Sequence, residues 1–207
     1  MRDFKLDPDK LLPVDTGKRK TLRDLYVEFV DEKLRHILNW SFAIIVTLAL
    51  AATTAIVFFQ SVTMQESSME PTLGIGERFF MNRLIYRISD PQRGDIIVFR
   101  SNSSDDAVIH VRRVIGIPGD TVQISKGNIL INGEVYREPQ DFPTIVNPGT
   151  ASSPITLEDD QYFVLGDNRN NSEDSRYGEI GNIDAKYIVG KLWFVASPME
   201  KLGFLRG

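Results

Sequence analysis

Cysteine is absent from all 207 residues, which excludes a disulfide framework, a thiolate zinc site and a thiol nucleophile. Histidine is nearly absent too, with His36 and His110 the whole supply. Blocks of cations are scarce: Lys18-Arg19-Lys20 is the single run in a chain of formal net charge −4. Nucleic-acid binding, which relies on clustered cations against phosphates, is therefore not expected. The last absence is positional, because no Asp, Glu, Lys or Arg lies between Arg35 and Glu66. A mean hydropathy of −0.16 conceals that gap.

Within the gap, Ile37 to Phe59 is almost continuously apolar. As a helix it extends about 34 Å, enough to cross a hydrocarbon core of roughly 30 Å. A cleavable targeting peptide fits poorly, since its apolar core is only about 7 to 15 residues and its charged leader is short. Lys18, Arg19, Lys20, Arg23, Lys33 and Arg35 precede the span, whereas Arg78 is the only basic residue between Gln60 and Phe80. That asymmetry places the N-terminus in the cytoplasm and everything after Gln60 outside. In the leader, Thr21 with Asp24 reads as a helix N-cap, and Leu22, Leu25, Tyr26, Phe29 and Leu34 recur at helical spacing. Either an amphipathic helix on the membrane surface or a run-up continuous with the span follows.

Beyond Gln60 the pattern becomes short alternating runs broken by Gly, Pro and Asn, the signature of antiparallel sheet. Strands are expected at 78–84, 95–100, 108–115, 121–125, 129–131, 162–165 and 187–195, with hairpin turns at Lys126-Gly127-Asn128 and Asn132-Gly133. Glu138 to Pro154, with four prolines, reads as a long surface loop. The fold class is mainly β: a cytoplasmic leader over 1–36, one transmembrane helix over 37–59 and an antiparallel β-rich extracytoplasmic domain over 60–207.

Three runs in the outer domain carry chemistry. Ser67-Ser68-Met69-Glu70-Pro71-Thr72-Leu73 places serines a few residues beyond the span, where one can act on something itself in the membrane. Serine needs a neighbouring base, and His110 is the only histidine on that side. Arg112-Arg113-Val114-Ile115-Gly116-Ile117-Pro118-Gly119-Asp120 reads as a strand with two cations facing opposite ways, ending in a tight turn. Gly166 to Arg176 is crowded with short polar side chains, which suits a loop held by side-chain to backbone bonds. A calcium loop is its rival, although the spacing lacks the terminal glutamate of an EF-hand.

Together with Arg93-Gly94-Asp95-Ile96-Ile97-Val98-Phe99, and in this order after one span, these runs resemble the type I signal peptidases. The resemblance implies a membrane-bound serine endopeptidase that removes signal peptides from exported precursors after a small-x-small motif such as Ala-x-Ala. It requires neither metal nor cofactor, and its partners are signal peptides and the lipid membrane. Ser68 falls where the family has its nucleophile, with its own backbone N–H as an oxyanion donor. Asp167, Ser172, Asp174 and Arg176 fall where the family holds the site together: Ser172 near the general base, Asp174 and Arg176 as a supporting ion pair.

Two positions depart from the family pattern. Arg112 stands where the general-base lysine belongs, and arginine, with a pKa above about 12, does not give up its proton in proteins. Glu66 stands two residues before Ser68, where many members carry an oxyanion-stabilising serine; it either repels a developing oxyanion or pairs with Arg112. Lys126, Lys186, Lys191 and Lys201 are the only lysines beyond the span, all away from the matched motifs. His110 is a possible substitute base, two residues before Arg112 on the same strand face and about 6.6 Å along it. Eukaryotic-type members use histidine in place of the lysine, but at the lysine position itself. The alternative reading is a catalytically impaired relative that binds precursors or assists surface-protein assembly.

Overall fold

The structure is a computed structural model that describes residues 22–58, 60–101 and 108–205. It comprises two compact units, 1–50 and 51–207. Thr21 and the Lys18-Arg19-Lys20 block lie outside the described residues. The helical leader and the span form one uninterrupted helix, α1 (Leu22–Phe58). Its stretch Val30–Ile56 is long and apolar enough to cross a membrane. Ser41 and Thr47 in that stretch donate their hydroxyls to the carbonyls of Leu38 and Ala43, so neither needs a partner outside the helix.

The second unit holds two antiparallel sheets. The larger contains β1 (Gln60–Thr63), β2 (Arg78–Asn82), β3 (Ile96–Arg100), β4 (Ile109–Gly116), β9 (Gln161–Leu165), β10 (Ile183–Asp184), β11 (Ile188–Ser197) and β12 (Gly203–Phe204). Its strand order is β1-β2-β11-β3-β4-β9-β10, with β12 paired to β11. The smaller contains β5 (Thr121–Ser125), β6 (Asn128–Ile131), β7 (Glu134–Val135) and β8 (Ile155–Thr156), in the order β7-β6-β5-β8. Both expected hairpins close on left-handed residues, Lys126-Gly127 and Asn132-Gly133, as two-residue turns require.

Period-2 patterning explains the centre of the larger sheet. Ile96 and Val98 of β3 enter one apolar cluster with Met69, Leu73 and Val111, while Ile97 and Phe99 enter another with Val114 and Val164. A strand buried on both faces lacks alternation, and β3 accordingly reads as a continuous apolar run.

Sequence patterning misses β1, β7, β8, β10 and β12, all two to four residues long and too short to show a period. It also overextends β2, which ends at Asn82 because that side chain accepts the Leu84 and Ile85 N–H groups and turns the chain into a 3-10 turn. The segment from Glu138 to Pro154 is mostly exposed and holds no strand, in line with the loop expected there. Two of its side chains, Ile145 and Ala151, are buried with Val122, Ile124 and Phe163, so the loop is pinned to the fold as a strap. Its prolines suppress regular structure without forcing exposure.

Candidate active site

Ser68 sits on a turn whose neighbours anchor it: Met69 and Leu73 are wholly buried, and the Leu73 N–H donates to the Met69 carbonyl at 2.9 Å. The polar loop 166–176 clamps the other side. Asn168 donates its backbone N–H to the Ser68 carbonyl at 3.0 Å and its side-chain amide to the Ser67 carbonyl at 3.1 Å. Gly166 runs so close that a Cβ there would lie 2.5 Å from the Ser68 oxygen and 2.2 Å from Ser172 Oγ. Only glycine lets the two chains approach in this way. Asp174 braces the loop, accepting from the Gly166 N–H and forming a two-pronged pair with Arg176, both residues fully buried.

β4 supplies the cations, and alternation sends them apart as expected. Arg113 forms a buried bidentate pair with Asp167, at 2.8 and 2.7 Å. Arg112, without any exposed surface, reaches Ser68. Its Nη1 lies 2.7 Å from Ser68 Oγ and 2.5 Å from Glu66 Oε1, its Nη2 is 3.2 Å from Glu66 Oε2, and its Nε donates to the Glu173 carbonyl at 2.7 Å. Of the two fates open to Glu66, pairing with Arg112 is the one adopted. Burial raises the Glu66 carboxyl, but the hydrogen bond and charge of Arg112, then His110 and the Ser68 hydroxyl, bring it below its ordinary value of 4.5.

His110 stacks on Phe99, its cross-strand partner, with ring centroids 5.5 Å apart. Its Nδ1 is buried with no hydrogen-bond partner among the described residues. Burial, reinforced by the Arg112 charge, holds its pKa below the ordinary 6.5. Ser172 Oγ is likewise buried without a hydrogen-bond partner among the described residues. Three lysines are committed elsewhere: Lys191 to Asp95, Lys186 to Asp184 and Lys201 to Glu77. Among the described residues no group of three or more His, Asp or Glu side chains converges as a metal site.

Two grooves meet at Glu66. One, of about 650 Å³, runs along Gln60–Glu66 and is floored by Met81, Val98 and Val111. The other, of about 720 Å³, is polar and lined by Ser67, Ser68, Asn171, Glu173, Tyr177 and Glu179. Ser68 lines only the second groove, two residues beyond the end of the first, and its hydroxyl is touched by an ionised pair.

The family described as signal peptidase, peptidase S26, matches residues 37–196, and the chain belongs to that family. It is 39% identical over 145 residues to a probable signal peptidase I-2 of Synechocystis, a match covering 67% of this chain and 63% of that protein. It is 38% identical over 176 residues to a signal peptidase I of Bacillus amyloliquefaciens, covering 80% and 91% of the two chains. With the signal peptidase I S of Bacillus subtilis it shares 36% identity over 181 residues, covering 82% and 94%. A crystal structure of a signal peptidase I from Enterococcus faecalis aligns with 51% of this chain and 98% of its own, at 34% identity and a TM-score of 0.39.

Proposed function

We propose that the chain is a membrane-anchored serine endopeptidase that removes signal peptides from exported precursors, cutting after a small-x-small motif. In this reading residues 1–36 are cytoplasmic, 37–59 cross the membrane and 60–207 act outside. Ser68 is the nucleophile, its N–H an oxyanion donor, and Asp167, Ser172, Asp174 and Arg176 keep the loop against it. Relatives named signal peptidase I over four fifths of the chain support the activity. The observation that carries the reading is the placement of Ser68, which lines the second groove with its hydroxyl on Arg112, while the first groove ends two residues before it at Glu66. The signal-peptide end of a precursor, extended, suits the first, where β1 is an edge strand with one side unpaired. The start of the mature chain suits the second.

The test is cleavage of a precursor carrying Ala-x-Ala by the full chain in detergent, the cut located by mass spectrometry. One cut directly after the motif is expected, and Ala→Leu at the residue before the cut should slow it at least about tenfold. Cutting at unrelated sites contradicts the specificity. Arg112 in place of lysine favours a second reading, a relative that binds precursors without cutting them. That reading predicts saturable precursor binding with no product.

A further inference from the structure

Arg112 cannot accept the Ser68 proton, yet it donates to Ser68 Oγ at 2.7 Å. A hydroxyl that accepts from a cation has its own proton left to give. Three acceptors surround Arg112 Nη1, namely Glu66 Oε1, Ser68 Oγ and the Val111 carbonyl, at 2.5, 2.7 and 2.7 Å. That nitrogen carries two hydrogens, so its bond to Ser68 is shared. The same nitrogen holds Ser68 Oγ and Glu66 Oε1 within about 5 Å of each other, and the Ser68 hydroxyl helps to stabilise the ionised carboxylate. Glu66 keeps 39% of its side chain exposed, at the junction of the two grooves, which leaves it room to turn towards a bound chain.

We infer that Glu66 is the proton acceptor for Ser68 and that Arg112 is its positioning residue, so the two departures from the family pattern compensate each other. This deepens the peptidase reading and rests on it. In the acylation step the Ser68 O–H bond breaks, its proton passes to Glu66, and Oγ bonds to the scissile carbonyl carbon as the C=O π pair moves onto the carbonyl oxygen, giving a tetrahedral oxyanion. As that intermediate collapses the C–N bond breaks, and the Glu66 proton goes to the leaving amine. Water then gives a proton to Glu66 and its oxygen to the acyl carbon; when the ester breaks, the proton returns to Ser68 Oγ. Arg112 stays protonated throughout, offsetting the charge that moves between the two oxygens.

The experiment measures kcat and KM for an Ala-x-Ala precursor against pH, using the full chain in detergent. The groups that face Glu66 are Arg112 and His110 from β4 and Ser68 from its own turn, with Glu173 acting on His110 from the polar loop. Wild type should cut, with an acid limb of kcat/KM whose midpoint lies below 4.5, and His110→Gln should keep that limb but move its midpoint upward, because the His110 charge helps to hold Glu66 low. Glu66→Gln should lower kcat by about 10²–10⁴-fold, with KM changed less than about threefold. If that variant does not fold, Glu66→Asp decides: it keeps the charge beside Arg112 and should lose about tenfold or more in kcat at unchanged KM. A folded Glu66→Gln protein cutting within about threefold of wild type overturns the inference while leaving the peptidase reading standing. So does an acid limb that disappears in His110→Gln. Activity that appears only in the double variant Glu66→Ser, Arg112→Lys overturns both the inference and the activity of the natural chain.

Discussion

Arginine at position 112 forms bonds that a lysine has too few donors to match: a fork on Glu66, a donation to the Glu173 carbonyl and a contact with Ser68. Removing the Glu66 charge leaves the fully buried guanidinium with mainly backbone acceptors. Glu66→Gln should therefore lose about 2 kcal/mol in urea unfolding, below the 3–5 kcal/mol of a fully enclosed pair because water reaches Glu66. His110 titrates in the opposite sense to a stabilising histidine. Its folded pKa is held below 6.5, so as pH falls below 6.5 the unfolded chain binds the proton first and stability drops. Wild type should lose unfolding free energy between pH 7 and pH 5, and His110→Gln should flatten that slope. An equal slope in both proteins contradicts the assignment. The sequence offers a pair between Glu66 and Arg112, 46 positions apart, only as one of two fates for Glu66. Their pairing depends on β4 facing the Ser68 turn, which no local spacing encodes.

Elements legible in the sequence are those with a period or a turn signature. The helix, seven of the strands and both glycine hairpins are of that kind. The loop 166–176 was readable as a polar loop held by its own side chains, but its task was not. Its close approach to Ser68 depends on Gly166, a residue whose significance lies in what it lacks. Gly166→Ala should shift Ser172 and the Ser68 backbone, lowering stability by about 1–3 kcal/mol and cutting kcat more than KM. Thermal unfolding alongside cleavage kinetics checks this, and unchanged values for both contradict the clamp. The strap 138–154 is legible as a surface loop from its proline and serine content, whereas its two anchors, Ile145 and Ala151, depend on the sheet they meet. Arg169 holds the strap through a two-pronged pair with Glu138, at 2.6 Å for each bond, and lies over the Phe142 ring. Arg169→Ala should loosen it and raise amide exchange across 138–154, while exchange in β3 stays slow.

At the scale of the whole chain, one apolar helix precedes a β unit whose candidate site begins eight residues after the helix ends. The family match covers both parts, from residue 37 to 196. In the proposed reading the helix is the membrane tether and Ser68 cuts a chain that emerges from the bilayer. In the proposed mechanism this chain cuts through Ser68 with no lysine at the base position. The most direct measurement compares initial cleavage rates of one Ala-x-Ala precursor by folded wild type and by folded Ser68→Ala, at equal concentrations in detergent. The account predicts a single product from wild type and a rate at least about 10³-fold lower from the variant. Equal rates, or no product from wild type, would contradict it.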